Sequence, residues 1–357
     1  MRIVMFYHSL LSDWRNSDAH FLRGAARELV ERGHEVELYE PDENPYLANL
    51  SKQYGQNPIA RLKHSYPSLK FNTYNLDTLE IDKITEKADL VIVGDYNHCE
   101  LIEKFPAKNF RNYNLVLHLL HSKSCRNMES YDGALVSSNT IVENAESFKT
   151  ISKWNNAVDT RLFYPKPSVT EADIIWTGDW FGEEESYINE YIIKPVFNLK
   201  LKATIIGTGF PETVKEDFKA KGINYIEWLP NWEMPAVLAK HKLAINFALS
   251  PGAGSALSFQ QLMACGIPVL SVLKESEELF VAGRDYLFAR SGAEMQAMMQ
   301  DLMLDKEKAT ELAVNASRAV NRRHTCFHRA NELENLCEKL GIEKNKIYPG
   351  NAYRAAV

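Results

Sequence analysis

Short apolar runs alternate with amphipathic stretches along this chain, and their spacing predicts its elements. Ile3–Tyr7 is a run suited to a strand buried on both faces. Ser17 or Asp18 then caps a helix in which Phe21, Leu22, Ala25, Leu29 and Val30 recur at helical spacing. Gly33 ends it, and Val36–Tyr39 gives a second strand. Further strands are expected at Leu90–Val93, Leu115–Leu120 and Ala134–Val136. The polar segment from about 44 to 85 reads as a long insertion of the kind that carries acceptor-binding loops.

A second series follows Pro165-Lys166-Pro167, a stiff linker signal. Strands are expected at Ile174–Trp176, Ala203–Ile206, Tyr225–Glu227, Leu243–Phe247 and Val269–Val272. Helices are expected between them at Tyr187–Val196, Val214–Lys219, Pro235–Ala239 and Leu257–Ala264, with two more at about 293–304 and 306–321. Strand–helix alternation on both sides of the prolines predicts an α/β protein with two Rossmann-like domains, parallel sheets facing across a cleft. The division is 1–165, 166–340 and a tail at 341–357. Ligands of such sheets bind at the carboxyl ends of the strands.

Composition narrows the function. The chain has 357 residues, 45% hydrophobic and 25% charged, as in ordinary globular domains. No stretch reaches the roughly 18 apolar residues of a membrane span, so a cytoplasmic protein is expected. Five cysteines without C-x-x-C spacing suggest reduced structural thiols, and no Cys/His cluster proposes a metal. Net charge is -6 and neither half is basic, which gives no general support to nucleic-acid binding. Two local stretches differ. Asn44–Asn75 lacks acids but interleaves Lys52, Arg61, Lys63 and Lys70 with Tyr46, Tyr54, Tyr66, Phe71 and Tyr74. Lys104–Arg126 is also acid-free, with Lys108, Arg111 and Lys123. Such stretches serve either as solvated faces or as phosphate- and base-contacting surfaces.

The most informative segment is Ser250–Val269, S-P-G-A-G-S-A-L-S-F-Q-Q-L-M-A-C-G-I-P-V. Gly252, Gly254 and Ser255 form a flexible turn ahead of a helix whose N-terminus suits a diphosphate; a plain loop is the equal alternative. No G-K-[ST] or G-x-G-x-x-G pattern is present.

Taken with F-Y-H-S-L-L-S-D-W (Phe6–Trp14), A-H-F-L-R-G (Ala19–Gly24), D-T-R-L-F-Y-P (Asp159–Pro165), I-I-W-T-G-D-W (Ile174–Trp180), E-W-L-P-N (Glu227–Asn231), A-C-G-I-P (Ala264–Pro268), A-G-R-D-Y-L (Ala282–Leu287) and R-H-T-C-F-H-R (Arg323–Arg329), the chain resembles the CgeB-like spore-protein family of GT-B glycosyltransferases from end to end. The resemblance implies a metal-independent glycosyltransferase with no cofactor and a nucleotide-sugar donor, a UDP-sugar, held mainly by the C-terminal domain. It places Gly178, Asp179 and Trp180 near the donor diphosphate, and Trp228, Leu229 and Pro230 near the base. It also implies that the helix beyond Arg329 packs back toward the N-terminal domain. At two positions the chain departs from the family: Gln261 stands where a ribose-binding Glu is common, and Ser258 where an Arg is expected.

Transfer needs a base for the acceptor hydroxyl. His121, Asp18 and Asp95 lie at predicted carboxyl ends of N-terminal strands, in that order of preference; His8 and His20 are read as structural. Asp18 is equally a helix cap and Asp95 a turn former. Three functions follow: transfer to an unidentified acceptor hydroxyl, transfer to hydroxylated DNA bases, or a non-catalytic sugar-nucleotide-binding role suited to Ser258 and Gln261.

Overall fold

The computed structural model describes residues 1–14, 16, 18–120, 128–137, 148–180, 182, 185–247, 259–272 and 279–342. The chain divides into two compact units. The first is built on a sheet of β1 (Arg2–Phe6), β2 (Glu35–Pro41), β3 (Lys70–Tyr74), β4 (Leu90–Gly94), β5 (Asn114–Leu119), β6 (Gly133–Val136) and β7 (Thr150–Lys153). Its helices are α1 (Asp18–Glu31), α2 (Pro45–Tyr54), α3 (Asn57–Ser65), α4 (Ile81–Thr85) and α5 (Cys99–Lys104). Every pairing is parallel, in the order β3-β2-β1-β4-β5-β6-β7. The order reverses between β1 and β4, so the carboxyl ends of those two strands form the switch point where such folds bind ligands.

Burial on both faces accounts for the unbroken apolar runs of β1 and β4. Val4, Phe6, Val91 and Val93 pack on one face with Leu101, Ile102 and Phe105. The polar stretch 44–85, expected as an insertion, instead holds α2, α3, β3 and α4. Asn44 caps α2 by accepting the N–H groups of Tyr46 and Leu47, with Pro45 in the first turn. Helices α2 and α3 bury only Leu50, Ile59 and Leu62, and edge strand β3 buries one residue in five, which leaves little apolar signal to read.

The second unit's sheet contains β8 (Ala172–Thr177), β9 (Ala203–Ile206), β10 (Asn224–Ile226), β11 (His241–Asn246), β12 (Val269–Ser271) and β13 (Leu287–Phe288), parallel in the order β10-β9-β8-β11-β12-β13. Its helices are α6 (Glu185–Ile188), α7 (Lys194–Leu199), α8 (Glu212–Ala220), α9 (Met234–Leu238), α10 (Phe259–Ala264), α11 (Gly292–Leu304) and α12 (Lys306–Arg323). The period-2 alternation of β8 divides two cores: Ile174 and Trp176 pack with Ile192 and Met295, Ile175 with Leu262 and Ala316.

The last helix, α13 (Cys326–Lys339), belongs to the first unit, which takes residues up to 156 and resumes at 326. This differs from the division at 165/166 and from keeping residues to 340 with the second domain. The cause is specific packing. The Trp154 indole N–H donates to the Arg329 carbonyl, Arg32 and His34 both reach Glu334, and Ala330, Leu333, Leu336 and Cys337 are buried.

Candidate functional site

Each sheet presents a switch-point edge, and the two are built from different chemistry. At the first, Tyr7 and His8 follow β1, while Asp95, Tyr96 and Asn97 follow β4. A Cβ on Gly94 would lie 2.6 Å from the Tyr7 ring, so the turn after β4 needs glycine for close approach. The Tyr7 hydroxyl shares a 2.9 Å hydrogen bond with His118 Nδ1. Burial, then the Asp95 charge, raises the Tyr7 pKa well above its ordinary value, so the phenol stays protonated. Asp95 is 1% exposed; its N–H donates to the His118 carbonyl and its Oδ1 accepts the Leu120 N–H. It therefore ties the end of β4 to the end of β5.

Asp18 occupies the first turn of α1, where the helix dipole favours an anion. Its Oδ1 accepts a 2.7 Å bond from Asn156 Nδ2, and the side chain is half-buried. His121, the preferred base, lies outside the described residues.

The loop after β1 is pinned by groups that sequence reading passed over. The Glu40 carboxylate, at the end of β2, accepts the Leu10 and Leu11 N–H groups at 2.5 and 3.0 Å. Burial raises its pKa, against the pull of those two N–H groups, Arg23 and Lys63. Arg23, itself buried in α1, donates to the Leu10 carbonyl, pairs with Asp13, and stacks 5.3 Å from the Tyr66 ring centroid. Asp13 and Arg23 fall inside the quoted blocks Phe6–Trp14 and Ala19–Gly24; their ten-residue separation was the available signal.

At the second edge, Gly178, Asp179 and Trp180 follow β8 and face Gly207, Thr208 and Gly209 after β9. The Asp179 Oδ1 accepts both the Thr208 N–H and its hydroxyl, at 2.8 and 2.7 Å, and the Trp180 N–H donates to the Thr208 carbonyl. A Cβ on Gly207 would fall 1.7 Å from the Gly178 carbonyl oxygen, so this approach excludes every side chain. Trp180 packs at 5.3 Å from Phe210. Trp228 and Leu229, after β10, are half-buried, and Pro230 is buried. Gln261, in α10, is 1% exposed and donates through Nε2 to Asn231 Oδ1 at 3.1 Å. The structure thus joins the E-W-L-P-N block to α10, a contact across 30 residues that no local pattern reveals. Gly252, Gly254, Ser255 and Ser258 lie outside the described residues.

Among the described residues no group of three or more His, Cys, Asp or Glu side chains is placed to hold a metal ion. No described helix is long and apolar enough to cross a membrane. The four described cysteines are free, and burial pushes the Cys265 thiol up to about 12.

Comparison with known proteins places this architecture. The chain covers 95% of itself and 99% of Anabaena Alr3699/HepE, solved with UDP and glucose, at 14% identity and TM-score 0.66. An α-glucosyltransferase solved with UDP and a 13-mer DNA gives 14% identity, 95% and 99% coverage and TM-score 0.64. Sucrose-phosphate synthase from Thermosynechococcus elongatus gives 11%, 96% and 99%, and 0.59. The fold is GT-B. Residues 189–335 match the family model described as Glycosyl transferase-like, which spans most of the second sheet and α10–α12. No curated protein matches the sequence.

Proposed function

We propose that this protein is a glycosyltransferase that moves a sugar from a UDP-sugar to an acceptor hydroxyl. The observation that carries the reading is the second edge, where Gly178 and Gly207 bring two strand-end loops into main-chain contact, Gly207 lying inside the glycosyl transferase-like segment 189–335 and Gly178 just ahead of it. An edge made of glycine, main-chain N–H groups and a helix N-terminus suits a diphosphate without metal or lysine. UDP stands in the structures of HepE and the α-glucosyltransferase, and their fold supports the same donor here. The donor diphosphate is assigned to the turn of Gly252, Gly254, Ser255 and Ser258 ahead of α10, with Gly178–Trp180 and Trp228–Pro230 completing the site.

In the reaction the bond from the anomeric carbon to the UDP oxygen breaks and a bond to the acceptor oxygen forms. The acceptor proton passes to a base, and UDP leaves as the anion. Asp18 suits that base better than Asp95, because Asp95 is buried against the β5 main chain while Asp18 is half-buried in the first turn of α1. His121, the residue after Leu120, is the alternative.

Gln261 bears on the non-catalytic reading. Its amide donates to Asn231, a task that a carboxylate cannot perform, so the departure from Glu has a structural reason in this chain.

Titration with UDP tests the assignment: Gly254→Val should abolish affinity while the melting temperature holds, since a valine side chain crowds a main-chain approach. Unchanged UDP affinity in that variant refutes the donor site.

A further inference from the structure

Beside the edge of β1 and β4, one group of aromatic side chains has no role in the reading above. The His8 ring lies 4.8 Å from Tyr96, tilted 33°, and 5.5 Å from Tyr46 at 66°. Two turns along α2 from Tyr46, Tyr54 meets Trp14 at 5.9 Å. These rings come from the loop after β1, from α2 and from the turn after β4, yet all belong to the first unit. None is a core residue: Tyr96 is 37% exposed, and His8, Trp14, Tyr46 and Tyr54 are half-buried.

The group is also held in place. Ser12 Oγ donates to the Tyr46 carbonyl at 3.1 Å and accepts the Trp14 N–H at 3.1 Å, which stitches the loop to α2. Glu40 and Arg23 pin the same loop at Leu10. A half-exposed aromatic surface fixed from three sides is preorganised for a ring-shaped ligand, because little conformational freedom remains to be lost on binding.

Resting on the glycosyltransferase reading, we infer that the His8–Tyr46–Tyr96 surface is the acceptor platform, and that the acceptor is an uncharged, pyranose-bearing glycan or glycoside, not a nucleic acid. Aromatic faces carry negative charge and attract the slightly positive C–H face of a sugar ring, while phenol, imidazole and the nearby Asp18 carboxylate bond its hydroxyls. The electrostatics agree. Burial raises the Tyr96 pKa, followed by Tyr46, Asp18 and Asp95, so the carboxylates put negative potential on this ring. Burial, Glu40 and Asp42 do the same to Tyr74. A polyphosphate backbone requires the opposite field.

The acid-free stretches do not reverse this. Tyr66 and Tyr74 are core residues, Tyr66 lying under Arg23 and Arg27. Lys70 pairs with Glu35, and Lys108 and Arg111 pair with Asp132. Five of the aromatic and basic side chains that suggested base stacking or phosphate contact are thus engaged inside the domain or paired with a carboxylate.

The test titrates the full chain, saturated with UDP, with maltotriose and cellotriose and separately with a 13-mer DNA duplex. At least one trisaccharide should bind, and Tyr96→Ala and Tyr46→Ala should each weaken it roughly 3- to 10-fold, the range of one aromatic contact. Tyr96→Phe, which keeps the ring, should stay within about threefold, and UDP affinity should hold in all three variants. Saccharide affinity indifferent to both alanine variants overturns the inference, as does binding of the duplex alone or of none of the probes. If the chain fails to bind UDP, the donor reading falls, while the saccharide titration repeated without UDP still decides the platform.

Discussion

The two sheets share one topology, parallel with a switch point between their central strands, and differ in what stands at it. The first edge gathers titratable and aromatic side chains: Tyr7, His8, Asp95, Tyr96 and His118, with the Asp18 charge acting on Tyr96. The second is mostly main chain and small neutral groups, Gly178, Gly207, Thr208, Asn231 and Gln261, with one buried carboxylate, Asp179, tied up by Thr208, and the Trp180 ring beside it. A group that must take a proton or grip a ring needs side chains of defined pKa and shape. A diphosphate is held well by N–H dipoles that cost little reorganisation. The same scaffold therefore divides labour by composition at equivalent positions.

That contrast breaks most visibly if proton transfer does not depend on the first edge. Asp18→Asn should lower kcat roughly 10²–10⁴-fold with UDP affinity unchanged, as measured by steady-state kinetics and titration. Near wild-type turnover moves the base to His121 or elsewhere.

Next in size is the rivet behind the first edge. Arg23→Ala leaves Asp13 as a buried unpaired carboxylate and frees the Leu10 carbonyl, so it should cost about 3–5 kcal/mol in chemical denaturation. A loss within about 0.5 kcal/mol, the size of an ordinary surface change, shows that the loop is held by other means.

The neutral chemistry of the second edge predicts a smaller effect. Gln261→Leu removes the donor to Asn231 and should destabilise by about 1–3 kcal/mol, the cost of a buried amide left without its partner. The loss should be independent of pH between 5 and 8, because neither amide titrates there.

The smallest effect separates charged from neutral construction by pH. Burial raises the Asp132 pKa, but hydrogen bonds from Lys108, the Leu115 N–H and Arg111 outweigh it and hold the carboxyl below 3.8. A depressed folded-state pKa contributes stability that is complete above the unfolded value and lost as pH falls through the folded one. Asp132→Asn should therefore be destabilising at pH 7, with the gap to wild type narrowing below pH 3.8 in thermal melts. A gap constant down to pH 2 contradicts the assigned ion pairs.

Much of the frame was legible locally. Ile3–Tyr7, Leu90–Val93, Ile174–Trp176 and Leu243–Phe247 announced buried parallel strands, since strands covered on both faces carry unbroken apolar runs. Gly178 was legible as a place of close main-chain approach, and Asp18 and Asp95 as strand-end carboxylates. The platform was not. Tyr46 and Tyr54 stood out only as rings of an acid-free stretch, solvated or base-contacting, and His8 as a structural residue, because half-buried rings on a loop and a short helix carry no periodic signal.

The sequence by itself determined which segments are strands and helices, and so, through parallel alternation, where each sheet's switch point lies. Burial of apolar side chains is a local requirement, and local patterns record it. Only the tertiary structure decided what occupies those edges. Glu40 beneath Leu10 and Leu11, the Gln261–Asn231 bond, and the Arg32 and His34 bonds to Glu334 that seat α13, a helix the family resemblance already directed to the first domain, join residues 29 to 302 positions apart. Their partners are chosen by buried polar groups that must find a hydrogen bond wherever the fold supplies one, and that choice leaves no trace in residue spacing.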